Sequence, residues 1–220
     1  MRMSGTRVLG SLVLAGTTLT LCAGASNAVA GPTTGWTDTA WTYTIHKPWN
    51  KNVSDRFKYT GGVWYTWVYE SDVCFQDPCS ATDGRRTELR WNNNYTSGNH
   101  MMEASIYMVP GTNEATVMQI FGGATSATGY QVRGFTENGG TYKHYGSEVL
   151  AAGVNSKFTN IKLMHDANAN TVKAYVADVL IRTDADHGDA THYFKCGVYV
   201  GDISSAYSET RFNRLKHWTK

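Results

Sequence analysis

The sequence predicts an all-β protein built as one antiparallel sandwich or barrel. Helical periodicity is almost absent, while short runs of alternating polarity such as GVWYTWVYE, TELRW, TVKAYVADVLI and YFKCGVYVG recur along the chain, each predicted to be one strand. Turn-forming clusters such as WNNNYTSGN, TENGG and DANANT separate these runs. Many short strands joined by such turns are typical of sandwiches and barrels. Because no repeat, linker or low-complexity segment divides the sequence after its first 30 residues, we expect a single domain.

The first 30 residues have the pattern of a secretory signal peptide. Arg2 and Arg7 precede a short apolar run, and Ala28-Val29-Ala30 matches the small-x-small cleavage pattern. We therefore expect cleavage after Ala30 and export, which leaves residues 31–220 as the extracellular domain. Later apolar segments are too short to span a bilayer, so we expect no membrane partner.

The charge balance limits the choice of partner. The chain has 20 Lys and Arg against 18 Asp and Glu, and residues 1–30 contain two arginines and no acid, so 18 basic residues face 18 acidic ones after cleavage. A neutral domain argues against nucleic acid, whose partners usually carry a basic surface. An acidic polymer could still bind at a locally basic site. We expect a monomer.

The cysteines predict one disulfide. Cys74 and Cys79 lie in the turn-like segment VCFQDPCS of an exported chain, which favours a small disulfide loop. Cys196 lies in an apolar strand pattern and is expected to be a buried small hydrophobe.

The segment RRTELRW, residues 85–91, places charges on one side of a predicted strand. Successive strand residues point to opposite faces, so Arg86, Glu88 and Arg90 share one face. Two guanidinium groups beside a carboxylate could form an anion site, since Arg forks match carboxylates. A solvated face with cross-strand ion pairs is the alternative.

Two later strands have polar residues on one face. In VMQIF, Val117, Gln119 and Phe121 alternate with Met118 and Ile120. In YFKCGVY, one face is apolar and should contact the core, with Phe194, Cys196 and Val198. The opposite face therefore carries Tyr193, Lys195, Gly197 and Tyr199.

In this order, RTELR, QIF and YFKCGVY resemble the signature strands of alginate-lyase-type polysaccharide lyases of family 7, and the likeness extends to the family 20 glucuronan lyases. The resemblance implies a β-jelly roll whose concave sheet holds an acidic glycan in a groove. It also implies cleavage by β-elimination, which requires no cofactor. A structural calcium ion is compatible with the family 20 likeness.

The resemblance also implies roles for individual residues. Arg86 and Gln119 would neutralise the uronate carboxylate next to the scissile bond. Tyr199 would remove the C5 proton and return a proton to the leaving O4. Further residues would line the groove and bind substrate: Glu88, Arg90, Tyr193 and Lys195.

The sequence departs from family 7 where Phe121 replaces the histidine of the Q-[IV]-H signature. That histidine is implicated as a general base, especially for guluronate. In mannuronate and glucuronate, H5 and O4 lie on the same side of the ring, so one tyrosine can serve both steps. His46 is the candidate substitute base, with a structural histidine satisfied by backbone groups as the alternative. His144, with Tyr142 and Tyr145 beside it, is a further groove candidate.

Two acidic segments suggest metal ligands but fit no standard site. DANAN (166–170) begins like a calcium loop, yet Thr171 replaces the required Gly and Ala177 the final Glu. DADHGD (184–189) has several carboxylates without a standard spacing. Both are interpreted as hairpin turns, and no metal site is predicted.

The sequence therefore predicts a secreted lyase acting on glucuronan or mannuronate-rich alginate. A non-catalytic carbohydrate-binding protein on the same fold is the first alternative. A glycoside hydrolase is the second, but it needs paired carboxylates, and Glu103 and Glu148 have no recognisable partner.

Overall fold

The computed structural model describes residues 31–80, 84–201 and 205–220. The predicted signal peptide, residues 1–30, lies outside the described residues. In the described part no helix is long and apolar enough to cross a membrane. Only two 3-10 turns interrupt the strands there, at Val53–Asp55 and Glu137–Gly139. The predicted all-β class is confirmed.

Fifteen strands are formed by the described residues, and their bounds in chain order are as follows: β1 Thr37–Thr39, β2 Tyr43–His46, β3 Phe57–Thr60, β4 Val63–Tyr69, β5 Arg85–Trp91, β6 Asn99–Met108, β7 Ala115–Phe121, β8 Thr128–Phe135, β9 Thr141–His144, β10 Glu148–Ala152, β11 Thr159–Asp166, β12 Thr171–Val176, β13 Val179–Ala185, β14 Tyr193–Val200 and β15 Tyr207–Thr219. They pair antiparallel in two sheets. The first sheet has the order β13-β12-β11-β6-β15-β4-β3, with β1 also paired to β15. The second has the order β10-β9-β8-β7-β14-β5-β2. The two sheets form the predicted sandwich.

The apolar face of each strand packs between the sheets. On β5, Leu89 and Trp91 are fully buried, as the alternation in RRTELRW predicts. On β14, Phe194 and Cys196 are buried in the same core. Cys196 is a free, buried cysteine, which confirms its predicted place. The charged faces of β5 and β14 are therefore directed away from the core.

Gly197 holds β14 close to β5. A Cβ atom at this position would lie 2.2 Å from the carbonyl oxygen of Thr87 and 2.6 Å from Cα of Glu88. A larger residue would push the strands apart. The register places Gly197 opposite Glu88 and Tyr199 opposite Arg86, which brings two signature segments together from distant parts of the chain.

Three local expectations need correction. Val117 is buried in the core instead of sharing the face of Gln119, because the register shifts between Thr116 and Met118. The run TVKAYVADVLI is two strands, since Ala177 and Asp178 adopt positive φ and form a turn. The segment DADHGD is not a hairpin turn, because it leads from β13 in the first sheet to β14 in the second.

Candidate active site

A cavity of about 690 Å³ lies over the second sheet. Its lining includes side chains from β2, β5, β7 and β14, four neighbouring strands. Seven of the nine predicted site residues line it: His46, Arg86, Arg90, Gln119, Tyr193, Lys195 and Tyr199. Phe121, which replaces the family histidine, lines it as well. Because these residues come from four strands, the fold assembles the cavity from segments far apart in sequence.

Glu88 lies among these residues and is only 1% exposed. Nε2 of Gln119 donates a hydrogen bond of 2.7 Å to Oε1 of Glu88, and Nζ of Lys195 donates one of 3.1 Å to Oε2. Nη1 of Arg86 lies 3.7 Å from the same Oε2. Such burial excludes the solvated ion-pair face considered for β5. Glu88 instead fixes the three side chains that the sequence predicts to meet the substrate.

The charge around the cavity is positive. Arg86, Arg90 and Lys195 contribute three cations, and in the part of the chain that the structure describes Glu88 forms ion pairs with Arg86 and Lys195. Several cations that converge on one cavity form a receptive site for an anion. A pair of facing carboxylates, which glycoside hydrolysis requires, is not formed by the described lining residues.

Tyr199 and Arg86 form one side of the cavity. Cζ of Arg86 lies 4.2 Å from the centre of the Tyr199 ring and 5.6 Å from that of Phe75. Nε of Arg86 donates to the carbonyl oxygen of Gly84 at 3.3 Å. The guanidinium is held by stacking and by this hydrogen bond, and its contact with the Tyr199 ring allows it to stabilise negative charge on the phenol.

Aromatic rings form a second side. Cζ of Arg90 lies 3.9 Å from the Tyr193 ring, and Tyr193 stacks on Phe121 with 4.9 Å between ring centres. Arg90 also donates to the carbonyl oxygen of Trp91 and to Oδ1 of Asn94. Burial raises the pKa of Tyr193, so this phenol stays neutral. Arg90 therefore supports an aromatic surface on which a sugar ring can stack.

His46 faces the same cavity from β2. Its ring stacks on Phe75 with 4.3 Å between ring centres. Burial lowers the pKa of His46 to about 4, so the imidazole is neutral at neutral pH. Its Nδ1 atom is buried and has no hydrogen-bond partner among the described residues. Backbone groups therefore do not satisfy Nδ1, and a neutral histidine in this place could accept a proton.

His144 is not brought into the cavity, and its expected place in the groove is corrected. It pairs with Val132, whose side chain belongs to the core, so the register turns His144 toward the interior. The ring stacks on Tyr130 at 3.9 Å, and Nδ1 lies 3.3 Å from the carbonyl oxygen of Gln131. Tyr142, which was expected beside the groove, is fully buried in the core.

The disulfide loop supplies a wall that the sequence analysis missed. Cys74 and Cys79 are bonded as predicted, and Phe75, Gln76 and Ser80 line the cavity. One sequence signal could have predicted this wall. Phe75, an aromatic residue, lies between the two paired cysteines and shortly before the charged strand β5. Two small residues after β7, Ala127 and Thr128, complete the lining without any sequence signal.

Comparison with known proteins agrees with this architecture. The alginate lyase family model matches residues 38–218, and the chain therefore belongs to the alginate lyase family. A curated relative, the citrate-binding protein of Hevea brasiliensis, is 34% identical over 192 residues, which cover 85% of this chain and 79% of the relative. The resemblance drawn from the three signature strands is confirmed.

Solved structures show the same fold. Alginate lyase PA1167 from Pseudomonas aeruginosa has a TM-score of 0.63 at 17% identity, covering 82% of this chain and 98% of that one. Alginate lyase AlgAT5 from polysaccharide lyase family 7 has a TM-score of 0.62 at 18% identity, covering 81% and 94%. These likenesses confirm the predicted β-jelly roll.

Proposed function

We propose that this protein is an exported polysaccharide lyase that cleaves a 1,4-linked uronan, either glucuronan or mannuronate-rich alginate, by β-elimination. The observation that carries the proposal is the presence of Arg86, Gln119 and Tyr199 in one positively charged cavity. Membership of the alginate lyase family supports polysaccharide lyase chemistry. The disulfide between Cys74 and Cys79 is compatible with export to an oxidising compartment.

The first demand of the reaction is to stabilise the uronate carboxyl group. Removal of the weakly acidic C5 proton builds enolate charge on that group, and donors placed there can lower the barrier by several kcal/mol. Arg86 and Gln119 would supply them. The amide of Gln119 has two N–H donors and uses one on Glu88, which leaves the second for the substrate. Glu88 would keep both donors in position before the substrate arrives.

The second demand is proton transfer. Tyr199 would remove the C5 proton and return a proton to the departing O4, which breaks the C4–O4 bond and leaves a C4=C5 double bond. The stacked guanidinium of Arg86 would stabilise the negative charge that develops on the phenol oxygen. One residue can serve both steps only where H5 and O4 lie on the same side of the ring. Mannuronate and glucuronate meet that condition.

Phe121 supports the same preference. Its ring stacks on Tyr193 at the position where family 7 has its histidine. In guluronate H5 and O4 lie on opposite sides of the ring, so elimination needs a proton acceptor separate from the proton donor. The histidine that would be this acceptor is replaced by Phe121. His46 is the remaining candidate for that group, since it lines the cavity and is neutral at neutral pH. Activity on poly-guluronate would therefore point to His46.

Carboxylate binding without cleavage is a second candidate function. The specific observation is the 34% identity to a protein named for binding citrate. Three cations that line one cavity, Arg86, Arg90 and Lys195, could hold a polycarboxylate or the acid groups of a glycan without turnover. In that case the cavity would serve recognition alone.

One experiment separates the two. Purified protein is incubated with glucuronan, poly-mannuronate, poly-guluronate and a neutral glucan, and the ultraviolet absorbance of the unsaturated product is followed. We expect absorbance to rise with glucuronan or poly-mannuronate, and not with poly-guluronate or the neutral glucan. In parallel, calorimetry measures binding of citrate and of each polymer. Binding without any rise in absorbance would reject the lyase and establish the binding protein.

A further inference from the structure

Three buried side chains lie together between the sheets, outside the cavity described above. His165 and His192 are fully buried and Asp186 is only 7% exposed. One donor atom from each residue lies within 4.8 Å of the donor atoms of the other two. We propose that these residues bind one transition-metal ion of the Zn²⁺ type, through two imidazole nitrogens and one carboxylate oxygen.

The hydrogen bonding of His192 determines which nitrogen is available. Nδ1 lies 3.1 Å from the carbonyl oxygen of Gly122, which can only accept, so Nδ1 carries the proton. In the neutral ring Nε2 then has a lone pair. This Nε2 atom is buried and has no hydrogen-bond partner among the described residues. A buried acceptor without a donor is rare in proteins, and a metal ion would satisfy it.

Asp186 is already oriented as a ligand. Its Oδ1 accepts a hydrogen bond of 2.8 Å from the backbone N–H of Gly188, and its Oδ2 lies 2.7 Å from Nε2 of His165. Carboxylates that bind metals are typically fixed by such a bond on the second oxygen. Gly188 therefore holds Oδ2 toward the two histidines.

His165 can change its tautomer without losing its other contact. Nδ1 of His165 lies 2.9 Å from the hydroxyl of Tyr95, which is able to donate or to accept. Without metal, Nε2–H donates to Asp186. With metal bound to Nε2, the proton resides on Nδ1 and its hydrogen bond to Tyr95 runs in the opposite direction. The number of protons on the ring is unchanged, and Tyr95 serves as the outer partner of the ligand.

The backbone around the cluster is well anchored. His192 exchanges two backbone hydrogen bonds with Tyr95, at 2.8 and 3.0 Å, and the backbone N–H of Asp186 donates to Asn170 at 2.9 Å. His165 belongs to β11 of the first sheet, whereas His192 directly precedes β14 of the second. A metal ion would therefore link the two sheets.

The donor set selects the kind of metal. Two nitrogens and one carboxylate suit Zn²⁺ or Co²⁺, whereas Ca²⁺ requires six or more oxygen ligands. A surface hollow of about 570 Å³ is lined by residues close in sequence to the ligands, among them Ala167, Asp189 and Thr191. The role of the ion is structural, since the proposed elimination requires no metal.

The test uses the full chain, stripped with a chelator and titrated with Co²⁺ and then Zn²⁺. We expect one Co²⁺ per chain with a visible ligand-field spectrum of mixed nitrogen and oxygen ligation, displaced by Zn²⁺, and a higher melting temperature with Zn²⁺. Absence of stoichiometric binding by this wild-type chain would overturn the proposal without any variant.

Two variants locate the site. In Asp186→Asn, the amide oxygen can accept from Gly188 and the amide nitrogen can donate to His165, so the metal-free network survives while the anionic ligand is lost. His192→Phe keeps the ring volume and removes Nε2. Each should weaken Zn²⁺ binding at least about 100-fold, at the upper end of the losses seen for outer partners.

His144→Gln is the matched control, because this histidine is also buried but lies outside the cluster. It should bind Zn²⁺ as the wild type does. Circular dichroism of the stripped proteins verifies folding. Wild-type affinity in folded Asp186→Asn, or a loss confined to His144→Gln, would refute the assignment. Should both cluster variants unfold, the wild-type Co²⁺ spectrum decides by the presence or absence of imidazole ligation.

Discussion

Replacing Glu88 with Gln tests whether one buried carboxylate balances the cations of the cavity. The substitution keeps the shape of the side chain and an oxygen that can accept from Gln119. It removes the negative charge that lies 3.1 Å from Nζ of Lys195 and 3.7 Å from Nη1 of Arg86. The side chain of Lys195 is 2% exposed, so water cannot replace the lost partner.

The magnitude follows from these distances. With an effective dielectric constant of about 20, the two attractions amount to roughly 5 and 4 kcal/mol, for Lys195 and Arg86 respectively. Much of this sum is offset because the carboxylate no longer has to be desolvated. Breaking a buried pair while its partner stays buried typically costs about 3–5 kcal/mol. For a domain of this size that lowers the melting temperature by on the order of 10 °C.

The free energy of unfolding is measured by denaturant titration followed by tryptophan fluorescence. Glu114→Gln is the matched control, since Glu114 also pairs with an arginine, Arg133 at 3.8 Å, but is 51% exposed. The control should change the free energy of unfolding by less than about 0.5 kcal/mol. A loss below about 1 kcal/mol for Glu88→Gln would refute the idea that Glu88 balances buried cations.

Three further predictions concern the cavity. Tyr199→Phe should lower the turnover of glucuronan or poly-mannuronate by about 100- to 10,000-fold, with little change in melting temperature. If the variant kept most of its activity, the tyrosine mechanism would be excluded. The double variant Cys74→Ser/Cys79→Ser removes the disulfide of a short loop and should lower the free energy of unfolding by about 2 kcal/mol. It should also raise KM, because this loop presents Phe75 to the cavity. An unchanged KM would mean that the loop does not shape the site. Because burial lowers the pKa of His46 to about 4 from about 6.5 in the unfolded chain, the unfolded state takes up the proton first. The free energy of unfolding should therefore fall as the pH drops from about 6.5 to 4. In His46→Gln, melting temperatures measured across this range should fall less steeply than in the wild type. An identical slope would exclude His46 as the source of the pH dependence.

The strand faces that bear charge were predictable from alternation. Arg86, Glu88 and Arg90 share a face because strand side chains alternate, and the apolar residues between them identify the buried side. The same rule predicted that Lys195 and Tyr199 are directed away from the core. Where a bulge interrupts the alternation, as at Val117, the rule gave the wrong face.

The sequence by itself determined the fold class, the disulfide, the family and most of the residues that line the cavity. These features depend on local alternation, on the spacing of Cys74 and Cys79 and on short signature segments. The tertiary structure alone decided what depends on register and on contacts between distant segments. Strand pairing turned His144 inward, made Glu88 the shared partner of Gln119 and Lys195, and placed the imidazoles of His165 and His192 beside Asp186. No local pattern encodes these contacts, because strands bring together residues that are tens of positions apart, and a shift of one residue reverses every side chain.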